Sequence, residues 1–288
     1  MPEQLFRNTI TLLRFPFSLF LMPTFFFAWS QSEHVDIKNL ILVFVIMHLL
    51  VYPASNGYNS YMDRDTGSIG GIENPPPPSK SLFYVTIILD IIALLLSLLV
   101  NYIFLAGVIV YILCSRAYSY RGIRLKQYPI TGFITVFLVQ GAITYFTIFK
   151  GIGASIYASP QWLCMLASSL LIGALYPLTQ IYQHQQDRED GVISISYKLG
   201  YRGTFIFSGL LFVLANLALY LYFNKQNDTV SFFIFSMALL PAVAYFFYWA
   251  IKVFNNSNAA NFKNSLLMNT IAAFCTNIAF VLLTILKH

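Results

Sequence analysis

A chain of 288 residues that is 58% hydrophobic and 10% charged, with a mean hydropathy of +0.67, is too apolar for a soluble domain of this length. Such a composition calls for an all-α, polytopic membrane protein that lies in a lipid bilayer. The net charge of +6 is what basic loops on one side of a membrane produce, and it lends no support to nucleic-acid binding.

Apolar runs long enough to cross a bilayer lie at about 10–30, 38–57, 81–99, 102–119, 129–149, 161–182, 204–223, 230–251 and 266–286. That predicts nine spans, or eight if the third and fourth runs, parted only around Asn101 and Tyr102, are one. The first run holds Arg14, Pro16 and Pro23 and ends without a small-x-small site, so it reads as a retained helix rather than a signal peptide. Arg14, near the cytoplasmic end of that run, either snorkels to the surface or reaches the space shared by the acids and loop cations of the later segments.

The second run passes into YPASNGYNSYMDRDTG, residues 52–67. Spacings of three and four put Asn56, Asn59 and Asp63 on one helix face, with Asp65 off that stripe. A polar link, GSIGGIENPPPP, follows and is long enough to be a candidate lid. Asp90 stands near the middle of the third run. An intramembrane acid is either functional or paired with a hydroxyl or amide of a neighbouring helix. After the fourth run, SRAYSYRGIRLKQYP gathers Arg116, Arg121, Arg124 and Lys126 among Tyr118, Tyr120 and Tyr128. This segment reads either as a cationic counterpart to the acids or as a positive-inside retention signal.

The sixth run passes into YPLTQIYQHQQDREDG, residues 176–191, which matches the first polar stretch position by position. Each has Tyr-Pro, an amide (Asn56, Gln180), a Tyr (Tyr58, Tyr182), a second amide (Asn59, Gln183), Asp-Arg beginning at Asp63 or Asp187, an acid (Asp65, Glu189) and a Gly (Gly67, Gly191). Gln180, Gln183, Asp187 and Asp190 form the equivalent stripe in the second stretch. Two related halves, about 1–120 and 129–288, within one transmembrane domain explain the repeat; a chance likeness of helix ends is the alternative.

Six of the eleven acids lie in these two same-side segments. Oxygen-only clusters suit Mg²⁺ completed by phosphate oxygens, whereas solvated loops with local charge pairing need no repeated amides. His184, within the second stretch and beside the site, is a candidate to accept or relay a proton, and His48 reads as a packed, hydrogen-bonded side chain rather than a base. Cys114, Cys164 and Cys275 lack metal or redox spacing and read as small buried hydrophobes. With nine spans, thirteen of the 17 Lys and Arg share a side with the N-terminus, which places that side in the cytoplasm.

These residues resemble the UbiA superfamily of intramembrane prenyltransferases, whose members have nine helices and two aspartate-rich motifs, after the second and sixth. The usual first motif, N-D-x-x-D-x-x-x-D, is similar to NSYMDRDTG through Asn59 and Asp63. The usual second motif has aspartates four apart, where this chain has Gln183 and Asp187. The family's Y-[ST]-x-P-P-x-R-L-K-x-x-P is matched at Tyr118, Arg124, Lys126 and Pro129, and its N-R-P-x-x-S-G is similar to ENPPPPSKS. Ser60, Gly67, Gln183 and Pro75 stand where the family commonly has Asp, an acid, Asp and Arg.

The resemblance implies Mg²⁺ held by Asp63 and Asp187 with help from Asn59, Gln183 and Asp190, and a prenyl diphosphate as donor. It also implies that Arg121, Arg124 and Lys126 stabilise the departing diphosphate, with Tyr118 and Arg14 in the substrate site. The acceptor would be a small aromatic or quinone precursor, and the location a bacterial inner membrane with cytoplasmic active-site loops. The shortened acid set keeps open a non-catalytic isoprenoid-binding homologue, and the paired repeats keep open a small-molecule transporter.

Overall fold

The computed structural model describes residues 2–153, 159 and 161–287. In chain order the helices are α1 (Glu3–Ser30), α2 (Ile37–Asp63), α3 (Lys80–Ser97), α4 (Tyr102–Ser119), α5 (Pro129–Gly151), α6 (Trp162–Gln180), the short α7 (His184–Glu189), α8 (Ile195–Lys225), α9 (Thr229–Ala238), α10 (Leu240–Asn255) and α11 (Phe262–Lys287). Eight of them are long and apolar enough to span a membrane singly, and α9 with α10, bent by 44°, makes a ninth span if the pair crosses once. The all-α class and the expected eight or nine spans hold among the described residues, and the chain is an integral membrane protein.

Local chemistry explains where these helices break. Asn101 caps α4, its Oδ1 accepting from the Phe104 N–H at 2.8 Å while its Nδ2 donates to the Lys150 carbonyl at 2.9 Å. The third and fourth runs are therefore separate helices. Pro241 has no N–H, and its ring crowds the carbonyl four residues back, so the predicted span 230–251 bends at Leu239. Within α2, Pro53 is accommodated by a widened π turn over Val45–Val51, in which the Tyr52 N–H reaches back to the Met47 carbonyl. Buried His48 lies in that turn, stacked on Phe44 with ring centroids 4.6 Å apart.

Packing defines two units. The first comprises Met1–Leu19, Ser32–Leu125 and Thr147–Ala158. In it α2 lies against α3 and α4, and Leu12, Leu13, Ile69 and Leu82 form a buried apolar cluster. The second comprises Phe20–Gln31, Lys126–Phe146 and Ser159–His288. Here α6 packs along α8, and Phe27 stacks on Phe280 with centroids 4.5 Å apart.

A second π turn, Phe137–Ile143, lies in α5, where the Ala142 N–H donates to Ser169 Oγ at 2.9 Å. A Cβ at Gly141 would strike the Ser169 backbone, which cannot swing aside. Gly141→Ala is therefore expected to destabilise the protein by about 1–3 kcal/mol, despite alanine's better helix propensity. Gly209→Ala is the control, because its Cβ would meet only the Phe246 ring at 3.7 Å. Detergent unfolding curves should show the first substitution lowering the midpoint and the second leaving it level or raised.

Candidate functional site

The first polar stretch closes α2, and a ladder of polar contacts joins it to α4 in the same unit. Ser55 and Ser115 share a hydrogen bond of 2.6 Å, and the Arg116 guanidinium lies 3.9 Å from the Tyr58 ring centroid. One turn on, Asn59 Nδ2 donates to Ser119 Oγ at 3.0 Å and to Asp63 Oδ2 at 2.7 Å. Arg121 then covers the end of the helix, donating from Nε to the Met62 carbonyl at 2.7 Å and from Nη2 to the Asp63 carbonyl at 3.3 Å. Arg124 Nη2 lies 3.7 Å from Asp63 Oδ1, both side chains buried. The expected Asn59–Asp63 stripe and its facing cations thus meet at one buried carboxylate. Tyr118 is half-buried on α4 beside Ser119.

Arg14 does not snorkel. It is buried, donating to the Gly70 carbonyl at 3.3 Å and the Asn56 carbonyl at 3.1 Å, with its guanidinium 5.4 Å from the Phe17 ring centroid. It therefore ties the link after α2 to α2 itself. That link is also closed by reciprocal Ile69–Ile72 main-chain hydrogen bonds of 2.9 and 3.0 Å, with Gly71 at φ 85° and Ile69 in the apolar cluster. The segment expected as a lid is anchored over its first part. Its remainder borders a cleft of about 520 Å³ lined by Tyr61, Arg64, Asp65, Thr66, Pro75, Pro77, Pro78 and Lys80.

Backbone strain gathers in the same place. Among the described residues, the non-glycine residues with positive φ are Arg14 (51°), Arg64 (54°), Arg124 (47°) and Asn227 (56°). The left-handed region costs an L-residue about 1–2 kcal/mol. At Arg64 this is the left-handed turn that ends α2, whereas Arg14 and Arg124 are buried, and there side-chain position outweighs backbone comfort.

The second stretch departs from the continuous stripe expected of it. α6 stops at Gln180, the Gln183 N–H closes a tight turn on the Gln180 carbonyl at 2.9 Å, and α7 starts afresh at His184. Two rungs of α6 are already weak there: Pro177 has no N–H, and Thr179 Oγ1 takes the Tyr176 carbonyl at 2.6 Å. Gln180 instead donates to Tyr176 Oη at 2.8 Å, while its Oε1 is buried with no hydrogen-bond donor among the described residues. Gln183 and Asp187 keep their spacing of four, with the Asp187 N–H on the Gln183 carbonyl at 2.8 Å, and Asp190 caps α7. Lys126 stands half-buried in the turn Leu125–Gln127, which the Ile193 N–H reaches through the Gln127 carbonyl at 3.3 Å. That brings the Lys126 turn against the loop following α7.

His184 accompanies this stretch. Its Nε2 is 2.8 Å from Ser196 Oγ, which is 3.0 Å from Thr204 Oγ1, and its ring stacks on Tyr201 with centroids 4.9 Å apart. Burial lowers its pKa from 6.5 to about 4, because the charged imidazole loses its water. The fold therefore binds the neutral form. Its contribution is intact above the unfolded value and is lost as pH falls from about 6.5 toward 4. His184→Phe, which keeps the stack, should flatten the acid limb of a stability–pH profile over that window while leaving the neutral-pH midpoint less affected.

Asp90, expected either to be functional or to pair with a hydroxyl or amide, forms an ion pair with Arg116 through Oδ2. The same guanidinium lies 3.4 Å from the Thr86 carbonyl through Nη2. Arg116 thus sits within α4 and serves Asp90 rather than joining the loop cations. Sequence reasoning also missed Ser119 and Ser196, the hydroxyls that hold Asn59 and His184.

Among the described residues no three of His, Cys, Asp and Glu stand together as a ready-made metal cage. Each polar stretch offers a carboxylate with an amide four residues before it. That oxygen set suits Mg²⁺ bound through one or two carboxylates and finished by phosphate oxygens and water. It does not suit a metal held by protein alone.

The family model described as "UbiA prenyltransferase family" matches residues 20–278. Among solved structures, the chain is similar to a UbiA homolog from Archaeoglobus fulgidus bound to DMAPP and Mg²⁺, with a TM-score of 0.74 and 15% identity over 97% of this chain and 98% of that one. It is also similar to a UbiA homolog from Aeropyrum pernix K1 (TM-score 0.69, 15% identity, 93% and 98% covered). A structure of digeranylgeranylglyceryl phosphate synthase in membranes aligns with a TM-score of 0.64 and 20% identity over 98% and 99%. No curated protein sequence matches at comparable stringency. At these identities the solved structures establish the fold.

Proposed function

Since this chain belongs to the UbiA prenyltransferase family, we propose that it transfers an isoprenyl group from a prenyl diphosphate to a small aromatic or quinone-precursor acceptor, with Mg²⁺. The observation that carries this reading is the buried Asp63, held by Asn59 at 2.7 Å and faced by Arg124 at 3.7 Å, with Arg121 beside it. A carboxylate and cations at one helix end suit a metal-bound diphosphate, which needs both signs of charge. Solved homologues bound to DMAPP or GPP with Mg²⁺ add weight.

In this reading Asp63, Asp187, Asn59 and Asp190 hold the Mg²⁺, and Gln183 orients diphosphate oxygens. Bound Mg²⁺ supplies charge neutralisation of the diphosphate. Arg121, Arg124 and Lys126 are preorganised cations that favour the charge growing on the leaving group as the allylic carbon–oxygen bond breaks and its electron pair departs with the diphosphate. Arg14 acts by fixing the loop through Gly70, and Tyr118 lines the substrate side of α4. Aromatic faces stabilise the allylic cation until an acceptor ring carbon attacks it, and the displaced ring proton leaves to water or diphosphate. The uneven loop charge argues for a cytoplasmic site on a bacterial inner membrane.

The test uses purified protein in lipid nanodiscs with labelled prenyl diphosphates, a panel of aromatic and quinone-precursor acceptors, and either Mg²⁺ or chelator. Mg²⁺-dependent diphosphate release coupled to a prenylated product supports the reading. Ser60 and Gln183, standing where the family commonly has aspartates, favour a second reading as a non-catalytic isoprenoid binder. Saturable prenyl diphosphate binding without release would select it.

A further inference from the structure

Asp90 and Arg116 lie outside both polar stretches, yet they join the three helices that build the first. Asp90, on α3, is 7% exposed; Arg116, on α4, reaches its Oδ2 from Nε at 3.1 Å and again from Nη2. The guanidinium face covers Tyr58 of α2 at 3.9 Å, and Tyr58 is 6% exposed and adjacent to Asn59. One side chain therefore clamps α2, α3 and α4.

The clamp sits inside the α2–α4 ladder, between the Ser55–Ser115 contact of 2.6 Å and the Asn59–Ser119 contact of 3.0 Å. Those helices climb together: 55 with 115, 58 with 116, 59 with 119, 63 with 121 and 124. A shift of α4 along α2 would move Arg121 and Arg124 relative to Asp63. Serine and asparagine contacts resist such a shift weakly, since each is a single hydrogen bond between short side chains. The guanidinium stacked on Tyr58 resists it directly, and the ion pair resists it through α3, which packs on α2, because separating the pair strands a charge away from water. Arg116 Nη1 is buried with no hydrogen-bond acceptor among the described residues, so the residue is held for its charge and flat face rather than for a full complement of bonds.

We propose that Asp90 and Arg116 are positioning residues for the first acidic stretch, setting the register of α4 against α2 and thereby the placement of Arg121 and Arg124 at Asp63. The proposal rests on the prenyl-transfer reading. Arg116 does not touch substrate in this account; Asp90 consumes its charge and keeps it on the ladder.

The experiment compares wild type, Asp90→Asn, Asp90→Glu, Arg116→Lys and Tyr58→Leu in nanodiscs, below each variant's unfolding midpoint. Three readouts are taken: binding of a non-hydrolysable prenyl diphosphate analogue with Mg²⁺, the separate kcat and KM, and disulfide formation in a Ser55→Cys, Ser115→Cys background lacking Cys114. Asp90→Asn and Arg116→Lys should weaken analogue binding by about 10- to 100-fold, the range for residues that orient a ligating group. They should also slow the cross-link. Asp90→Glu should recover most of both, and Tyr58→Leu, which leaves the ion pair intact, should fall between. Wild-type affinity, KM and cross-linking in folded Asp90→Asn or Tyr58→Leu would overturn the positioning role while leaving prenyl transfer standing. A wild type that binds no prenyl diphosphate overturns the reaction itself, and the role with it.

Discussion

Asp63→Ala is expected to leave a folded protein and, on the prenyl-transfer reading, to lower Mg²⁺-dependent diphosphate release by about 10²–10³-fold or more, the scale set by removing one preorganised electrostatic group. The fold survives because the end of α2 has other ties. Arg121 holds the Met62 and Asp63 carbonyls at 2.7 and 3.3 Å, and Asn59 keeps Ser119 at 3.0 Å. The Arg124 contact at 3.7 Å is too long for a hydrogen bond, but both side chains are buried, so its loss should lower the unfolding midpoint without abolishing the fold. Asp63→Asn sharpens the test. It preserves shape and can still accept from Asn59, so an equal loss of activity would assign the effect to charge. Release assays alongside detergent unfolding midpoints decide it; full turnover by both variants would end the proposed role of Asp63.

The opposite balance is expected at Asp90. Its side chain is 10% exposed and that of Arg116 16%, well away from the exposed regime in which an ion pair contributes only about 0–1 kcal/mol. Asp90→Ala or Arg116→Ala strands the partner charge in an apolar surround and should cost about 3–5 kcal/mol each. Removing both should cost less than the sum of the two losses. Replacing the pair with Leu and Met should recover most of the stability. Unfolding titrations of the singles and doubles supply the cycle, and singles within about half a kcal/mol of wild type would show that water reaches the pair.

Sequence reading worked where the cause is local. Nine apolar runs and the Asn59–Asp63 spacing each depend on residues within a few turns. The pairing of Asp90 with Arg116 does not. Nothing in VTIILDIIALL or SRAYSY says which helix faces which, so Arg116 looked like one more loop cation. Arg14 is similar, because its acceptors are carbonyls at 56 and 70 that every residue possesses. The break between Gln180 and His184 was hidden for a different reason. The repeat invited the geometry of the first stretch onto the second, while Thr179 and Pro177 had already weakened that helix end.

The three arginines in the left-handed region carry a further meaning for anyone who would engineer this protein. Glycine at 64 relaxes the backbone where the side chain is exposed, and a selection on heat resistance alone would be drawn to that position. At 14 and 124 the same change would also delete a buried guanidinium, from the Gly70 and Asn56 carbonyls or from Asp63, and that loss outweighs the strain relieved. A campaign to harden this membrane protein therefore has one of the three arginines to give up and two to keep.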